Sequence, residues 1–211
     1  MSESDHTPVD LVILGAGGFA REIAWLVQRI NAVCPRFRLR GFCDDAPSLQ
    51  KGEMDGLPLF GRVENLRIPA MLFCAIGSNP SRKKAIGRIL DCGLRLSPPL
   101  VDPSATVAPG VRIGEGSVVG IGSILSVGSR IGRGVILNHK VCVGHDVEIS
   151  DFAQVCPGAS ISGGCRIGEG ALLGTQSGVI PLKRIGAGAT VGAGVVAIRD
   201  LDDGQSLVRL R

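Results

Sequence analysis

The sequence predicts a small α/β domain over residues 1–97, followed by a parallel β-helix over residues 98–211. Two observations predict this fold class: β-α-β units fill the first part, and aliphatic residues recur at every sixth position of the second. The composition agrees, because 31 glycines, no tyrosine and 3% aromatic residues indicate a narrow core of small and aliphatic side chains.

The first part is typical of alternating strands and helices. Val9–Leu14 is an apolar run of the buried parallel-strand type, and it ends in a glycine-rich turn at residues 15–18. We expect further strands at 38–43 and 70–76 and a second helix at 81–92. One face of the first helix carries apolar side chains at Phe19, Ile23, Leu26, Val27 and Ile30. Trp25 lies off this face, so it either packs against the second part or lies on the surface.

The second part repeats with a period of six. Aliphatic residues begin sixteen consecutive hexads from Val101 to Val191, and the residue four places later is nearly always Ala, Ser, Val or Cys, with Lys183 as the exception. We interpret one hexad as a flat side and three as a triangular coil, which gives about five coils. The aliphatic residue points inward, the next lies at a tight corner, and the small one fills the remaining inward space. Pro98-Pro99 marks the start, and the period leaves the handedness open.

Charge and cysteine content exclude several classes of protein. The net charge of +4 comes from scattered Lys and Arg residues without interleaved aromatic side chains, so nucleic-acid binding is not expected. Seven cysteines, an odd number without a CxxC pair, argue against a disulfide framework and against secretion. Apolar segments broken by glycine do not predict a membrane helix. We therefore expect a soluble cytoplasmic protein.

Four segments carry a resemblance to a known family: GAGGFARE at 15–22, GFCDD at 41–45, AIGSNPSRKK at 75–84 and VGHDVEISDFAQVCPGASISGG at 143–164. With the hexads, nearly the whole chain resembles the left-handed β-helix sugar acyltransferases of the NeuD type. Relatives in that family N-acetylate UDP-, dTDP- or GDP-linked 4-amino-dideoxysugars. The resemblance implies left-handed winding, a homotrimer with active sites between subunits, and acetyl-CoA as the acyl donor.

Acyl transfer to an amine needs a base for its proton and donors for the thioester oxyanion. His139 and His145 are both third in their hexads, so both are expected to point outward from one coil, whereas His6 precedes the first strand. The resemblance implies that His145 is the general base, that Asp146 orients it, and that His139 lines the same cleft and contacts the sugar. For each of the three, a solvated surface residue is the open alternative.

The resemblance also implies acetyl-CoA contacts, with departures from the family. Its second histidine, nine residues after the first, is replaced by Gln154, which can donate a hydrogen bond but carries no charge. Gly163 is a candidate for donating a backbone hydrogen bond to the oxyanion and for contacting acetyl-CoA, and Gly174 is a further candidate acetyl-CoA contact. Glycine lets a ligand approach backbone N–H groups closely. A plain turn role stays open for both. The family's C-terminal Gly-x-Pro-Ala stretch is missing from residues 207–211.

The glycine-rich turn belongs to a G-x-G-x-x-A pattern at Gly15–Ala20, between a strand and a helix, which predicts a Rossmann-like domain. About ninety residues suffice for only half of a doubly wound sheet, so one mononucleotide fits better than NAD. Asp44 and Asp45 end the second strand, where an ordinary turn is the alternative to a ligand site. By resemblance, the nucleotide sugar would be contacted by Gly17, Gly18, Asp44, Asp45 and Gly77.

We predict an acetyl-CoA-dependent N-acetyltransferase that acts on the amino group of a nucleotide-linked 4-amino-4,6-dideoxysugar by direct attack on the thioester. A sugar or sialic acid O-acetyltransferase is the nearest alternative. A non-catalytic nucleotide-sugar-binding scaffold is the alternative of another class. His139, Cys142 and His145 have the spacing of metal ligands, but positions three apart point in opposite directions on a flat side, so we expect no metal.

Overall fold

The computed structural model of the protein describes residues 7–49 and 52–209, so His6 lies outside it. The described residues up to Ser97 form one compact unit, and those from Pro98 form a second. The first contains a parallel sheet with α-helices, and the second contains three parallel sheets of seven, six and five very short strands. The predicted fold class is confirmed. None of the helices within the described ranges is long and apolar enough to cross a membrane.

The first unit contains a four-stranded parallel sheet and a small antiparallel hairpin. Its elements are β1 Val9–Leu14, α1 Gly18–Val33, β2 Phe37–Cys43, β3 Glu53–Met54, β4 Leu57–Pro58, β5 Met71–Cys74, α2 Asn79–Asp91 and β6 Arg95–Leu96. The sheet has the order β2-β1-β5-β6, and β3 pairs with β4. The strands and helices predicted for this unit are all present, with small shifts at their ends.

Apolar periodicity explains how α1 packs. The buried residues of this helix are Ala20, Ile23, Ala24, Leu26, Val27 and Ile30. The predicted face is therefore confirmed, except that Phe19 is only half-buried. Trp25 is 48% exposed, and the Arg29 guanidinium lies 5.5 Å from the centre of its ring. Of the two alternatives for Trp25, the surface position is the one observed.

The second unit is a β-helix whose strands are two residues long. These strands are β7 Leu100–Val101, β8 Thr106–Val107, β9 Arg112–Ile113, β10 Val118–Val119, β11 Ile124–Leu125, β12 Arg130–Ile131, β13 Ile136–Leu137, β14 Cys142–Val143, β15 Glu148–Ile149, β16 Gln154–Val155, β17 Ser160–Ile161, β18 Arg166–Ile167, β19 Leu172–Leu173, β20 Gly178–Val179, β21 Arg184–Ile185, β22 Thr190–Val191, β23 Val196–Ala197 and β24 Ser206–Leu207.

From β7 to β20, each strand pairs with the strand three places further on, and β22 pairs with β24. Side 1 is formed by β7, β10, β13, β16, β19, β22 and β24, side 2 by β8, β11, β14, β17, β20 and β23, and side 3 by β9, β12, β15, β18 and β21. A hexad is thus one side and three hexads are one coil, as predicted. The coils number about six rather than about five, because β23 and β24 extend the repeat beyond Val191.

The core of the β-helix is a continuous column of the aliphatic hexad residues. From Val119 to Val191 these residues are all buried, and the small residues four places later fill the space between them. Burying each such aliphatic side chain stabilises the fold by about 1.5–3 kcal/mol. Lys183, the exception in the sequence pattern, is half-buried.

The turns lie one to two residues later than expected, at the third and fourth hexad positions. The fourth residue has a positive φ, for example +70° at Gly164. A small residue is needed at the second position for a different reason: a Cβ on Gly144 would lie 2.7 Å from the backbone nitrogen of Gly163 in the next coil. The expectation of a corner at the second position was wrong, because close contact between coils, not turn geometry, selects glycine there.

Substitutions at two leucines test how turn geometry and core burial contribute to the stability of the β-helix. Leu182 has a φ of +63° and is 78% exposed, whereas Leu173 is fully buried in the core. The left-handed conformation costs a non-glycine residue about 1–2 kcal/mol. We expect Leu182→Gly to raise the free energy of unfolding by up to about 1 kcal/mol, and Leu173→Ala to lower it by about 2–5 kcal/mol. Denaturant titration measures both, and an equal loss in the two variants would contradict this expectation.

Candidate active site

His145 and Asp146 form the turn between side 2 and side 3, immediately after β14. The His145 Nδ1 lies 2.9 Å from the Asp146 Oδ2, and the two side chains are 66% and 72% exposed. Asp146 has a φ of +55°, a conformation that aspartate tolerates better than most residues. When Nδ1–H donates to the carboxylate, Nε2 carries the lone pair and can accept a proton. The pair therefore has the geometry of an oriented general base.

Gly163 lies directly against this imidazole, in the next coil. A Cβ at position 163 would overlap the His145 ring, Nε2 most closely. The Gly163 N–H donates no hydrogen bond within residues 7–49 and 52–209, whereas the neighbouring Gly164 N–H donates to the His145 carbonyl oxygen at 2.8 Å. Pro109 and Pro181 occupy the same hexad position along this edge, which shows that the ladder between coils does not need this N–H. A free backbone donor thus lies beside Nε2.

The other two predicted acetyl-CoA contacts lie elsewhere in the β-helix. Gln154 is on side 1, and its side-chain nitrogen lies 3.9 Å from the Cys156 sulfur. Gly174 follows a side 1 strand, and its N–H donates to the Val191 carbonyl oxygen at 2.8 Å. Within one chain neither residue lies at the edge that carries His145. Their contacts with acetyl-CoA remain predictions.

His139 occupies the edge between side 1 and side 2, in the same coil as His145. Its backbone N–H donates to the Asn138 Oδ1 at 2.7 Å, and its half-buried ring packs over Gly120. Strand β14 separates the two histidines, which places them on the order of 15 Å apart. The cleft that the resemblance implies is therefore not formed within a single chain, and the contact of His139 with the sugar remains a prediction.

In the first unit, Asp44 holds the glycine-rich turn in place. Its two carboxylate oxygens accept the N–H groups of Ala16 at 2.8 Å and of Ala46 at 2.9 Å. A side chain at Gly17 or Gly18 would project into open space, which leaves the backbone there accessible to a ligand. Asp44 is thus occupied in shaping the turn, and direct contact with a nucleotide remains a prediction.

Asp45 is paired with Arg88. The guanidinium donates to both Asp45 oxygens, at 2.5 and 3.1 Å, and also to the Glu64 Oε1 at 2.6 Å. This hydrogen bonding holds the pKa of Asp45 below its ordinary value. Sequence reasoning missed Arg88, because its partner Asp45 lies 43 residues away and no local pattern marks the pair. A role for Asp45 in binding the nucleotide remains a prediction.

Two open features of the first unit could admit a ligand. Space is open around Gly77, whose carbonyl oxygen accepts a hydrogen bond from the buried Arg82 at 2.9 Å. A groove of about 560 Å³ is lined by Gly18, Arg21, Glu22, Ala24, Trp25, Gln28, Asp55 and Leu57. Of the predicted substrate residues, Gly18 alone lines this groove.

Thiol and metal chemistry find little support in the described residues. The cysteines are free thiols, and burial raises the pKa of Cys43 to about 12 and that of Cys74 to about 11, so both stay protonated at neutral pH. No group of three His, Cys, Asp or Glu residues in the described part of the chain could hold a metal ion. His139, Cys142 and His145 lie at one edge, the middle and the other edge of side 2.

Known proteins with the same architecture decide the family. Residues 10–89 match the PglD N-terminal domain. The acetyltransferase domain of PglB from Neisseria gonorrhoeae FA1090, solved in complex with acetyl coenzyme A, is 32% identical with a TM-score of 0.86, over 95% of this chain and 96% of that one. The chain belongs to the left-handed β-helix sugar acetyltransferases.

Two further solved members of similar architecture cover the chain as completely. PerB from Caulobacter crescentus, in complex with CoA and GDP-perosamine, is 33% identical with a TM-score of 0.83, over 95% of this chain and 94% of that one. WeeI from Acinetobacter baumannii AYE is 25% identical with a TM-score of 0.83, over 96% and 97%. No curated protein sequence matches the chain. The predictions of an acyltransferase and of a left-handed β-helix are confirmed.

Proposed function

We propose that this acetyltransferase moves the acetyl group of acetyl-CoA to the amino group of a nucleotide-linked 4-amino-4,6-dideoxysugar. The observation that carries the proposal is the His145–Asp146 pair beside the free N–H of Gly163. Donor and acceptor classes are supported by the ligands of two similar structures, acetyl coenzyme A in the PglB domain and GDP-perosamine in PerB.

The proposed reaction is a direct attack of the sugar amine on the thioester carbonyl carbon. His145 Nε2 accepts the amine proton as the C–N bond forms, and Asp146 stabilises the resulting imidazolium through Nδ1–H. The Gly163 N–H donates to the oxyanion of the tetrahedral intermediate. When the C–S bond breaks, the imidazolium returns the proton to the CoA sulfur. Histidine is thus regenerated without a covalent acyl-enzyme.

The first unit would bind the nucleotide part of the acceptor. The backbone at Gly17 and Gly18 is open to approach, and both residues follow the carboxyl end of β1, the edge at which parallel α/β sheets bind their ligands. Asp44 keeps this turn in shape by accepting the Ala16 N–H. We further propose a cytoplasmic homotrimer, in which Gln154 and Gly174 contact acetyl-CoA.

A thiol-release assay tests the function as a whole. With acetyl-CoA and a panel of UDP-, dTDP- and GDP-linked 4-amino-4,6-dideoxysugars, we expect CoA thiol to be released with at least one sugar. The matched control sugar carries a hydroxyl in place of the amine and should give no release. Release with the hydroxyl sugar alone would favour O-acetylation, and binding of every sugar without release would favour a scaffold.

Replacement of the base gives a second prediction. His145→Ala is expected to lower kcat/KM by about 10²–10⁴-fold, because the amine loses its proton acceptor. Glu115→Gln is the matched control, since Glu115 also holds the third position of a hexad but at the edge between side 3 and side 1. If folded His145→Ala kept most of the wild-type kcat/KM, His145 would not be the base.

A pair of substitutions at Gly163 isolates its N–H group. Both Gly163→Ala and Gly163→Pro add a Cβ that displaces the His145 ring, but only proline removes the donor. We therefore expect kcat of the proline variant to fall below that of the alanine variant by about 10²–10³-fold. Steady-state kinetics at saturating acetyl-CoA measure the ratio, and equal values would exclude the Gly163 N–H as the oxyanion donor.

A further inference from the structure

The buried face of α2 carries a charged residue at a position where an apolar side chain is typical. The buried residues of this helix are Asn79, Arg82, Ala85, Ile86 and Ile89. Arg82 is 1% exposed, and burial lowers the pKa of its guanidinium to about 10, so the side chain keeps its charge at neutral pH. Burying a charge costs free energy that an apolar residue there would not cost. Such a departure from the pattern of the helix indicates a role beyond packing.

Arg82 donates hydrogen bonds to four consecutive residues, 76–79, which join β5 to the start of α2 and are called here the 76–79 turn. The guanidinium donates to the carbonyl oxygens of Ile76 at 3.1 Å and Gly77 at 2.9 Å, and to the Asn79 Oδ1 at 2.9 Å. The backbone N–H of Arg82 donates to the Ser78 carbonyl oxygen at 2.8 Å. One side chain therefore fixes the direction of two successive peptide groups.

These hydrogen bonds also set the direction of two N–H groups. The peptide bonds of the turn are trans, so the C=O and N–H of each peptide group point in opposite directions. The Ile76 carbonyl shares its peptide group with the Gly77 N–H, and the Gly77 carbonyl shares its group with the Ser78 N–H. Because both carbonyls face the buried guanidinium, both N–H groups point away from it. Neither N–H donates a hydrogen bond within the residues that the structure describes.

Gly77 and Ser78 have little else to hold them. Ser78 is the N-cap of α2, yet its side chain makes no capping hydrogen bond with any described residue. A Cβ on Gly77 would meet no atom within 4 Å. A side chain with fewer donors at position 82 would therefore leave the Gly77 peptide groups free to rotate.

The 76–79 turn follows the same edge of the sheet as the glycine-rich turn. The Ala75 N–H donates to the Leu14 carbonyl oxygen at 2.8 Å, and a Cβ on Gly15 would lie 3.0 Å from the Ala75 carbonyl oxygen. The two turns thus leave the carboxyl ends of the neighbouring strands β1 and β5 side by side. Parallel α/β sheets bind their ligands at this edge.

We infer that Arg82 is a positioning residue for the acceptor: it turns two peptide groups so that the Gly77 and Ser78 N–H groups face the nucleotide part of the nucleotide-linked sugar. Arg82 is fully buried, so it touches no ligand and acts through the turn alone. This role rests on the proposed function, because it concerns the acceptor that the first unit would bind.

Arg82→Lys tests the role in the reaction. Lysine keeps the positive charge, but its single nitrogen cannot reproduce the planar fork that reaches three acceptors. We expect the KM for the nucleotide-linked sugar to rise by about 10–100-fold, because small displacements of positioning groups have effects of this order. The kcat and the KM for acetyl-CoA should stay at their wild-type values. Initial rates over a range of both substrates separate these constants.

Ile89→Val is the matched control for a purely structural role. Ile89 is fully buried on the same face of α2 but lies outside the 76–79 turn, so its truncation weakens the helix and leaves the turn held. The KM for the sugar should not change in this variant. An equal rise in both variants, or a wild-type KM in folded Arg82→Lys, would overturn the inference.

Calorimetric titration with UDP, dTDP and GDP tests the same role without turnover. Arg82→Lys should weaken binding of the nucleotide that the wild type binds and leave acetyl-CoA binding unchanged. If Arg82→Lys does not fold, Asn79→Ala removes one acceptor of the guanidinium and should weaken nucleotide binding to a smaller extent. Unchanged nucleotide affinity in the folded variant, or no binding of any of the three nucleotides to the wild type, would overturn the inference. A wild type that binds a nucleotide without acetyl transfer would contradict the proposed function alone.

Discussion

Backbone hydrogen bonding between successive coils is the constraint on which the second unit depends. The Cys142 and Gly144 N–H groups donate to Ala159 and Ile161 in the next coil, at 3.0 and 2.8 Å, and the same pattern recurs along each side. Residues eighteen positions apart therefore lie one above the other. That stacking is what places Gly163 against His145. The ladder uses N–H groups at the second, fourth and sixth hexad positions and spares the third, which leaves Gly163 free for a ligand.

The fold of the second unit could be predicted from the sequence because the residues that form its core recur at a fixed interval along the chain. An aliphatic residue at every sixth position from Val101 onward has one simple physical reading, a column of inward side chains. The position of the turns within the hexad could not be predicted from the sequence. A small residue at the second hexad position fits either a tight turn or close contact with the next coil, and only the placement of Gly163 beside Gly144 distinguishes them.

The residues of the candidate site also divide into some whose contacts follow from the sequence and others whose contacts do not. His145 and Asp146 are adjacent in the chain, and Gly163 is one coil further on, so their meeting follows from the repeat. The first unit has no such period. Asp44 meets Ala16 across 28 residues and Asp45 meets Arg88 across 43, through the packing of strands and helices that the sequence pattern does not fix in detail. Both carboxylates were therefore expected at a ligand, and the structure shows them bound to their own chain.

The position of a residue within its hexad also determines the environment of its side chain. Four of the six hexad positions have a fixed environment: one is buried and aliphatic, one is buried and small, one is in close contact with the next coil, and one is in a left-handed turn. Inserting or deleting a single residue inside a side would shift every later residue by one environment and drive polar side chains into the core. We therefore expect length changes in this β-helix to be tolerated only as bulges at the edges or as complete coils of eighteen residues, while its chemistry varies at the few outward positions that the hexad leaves open.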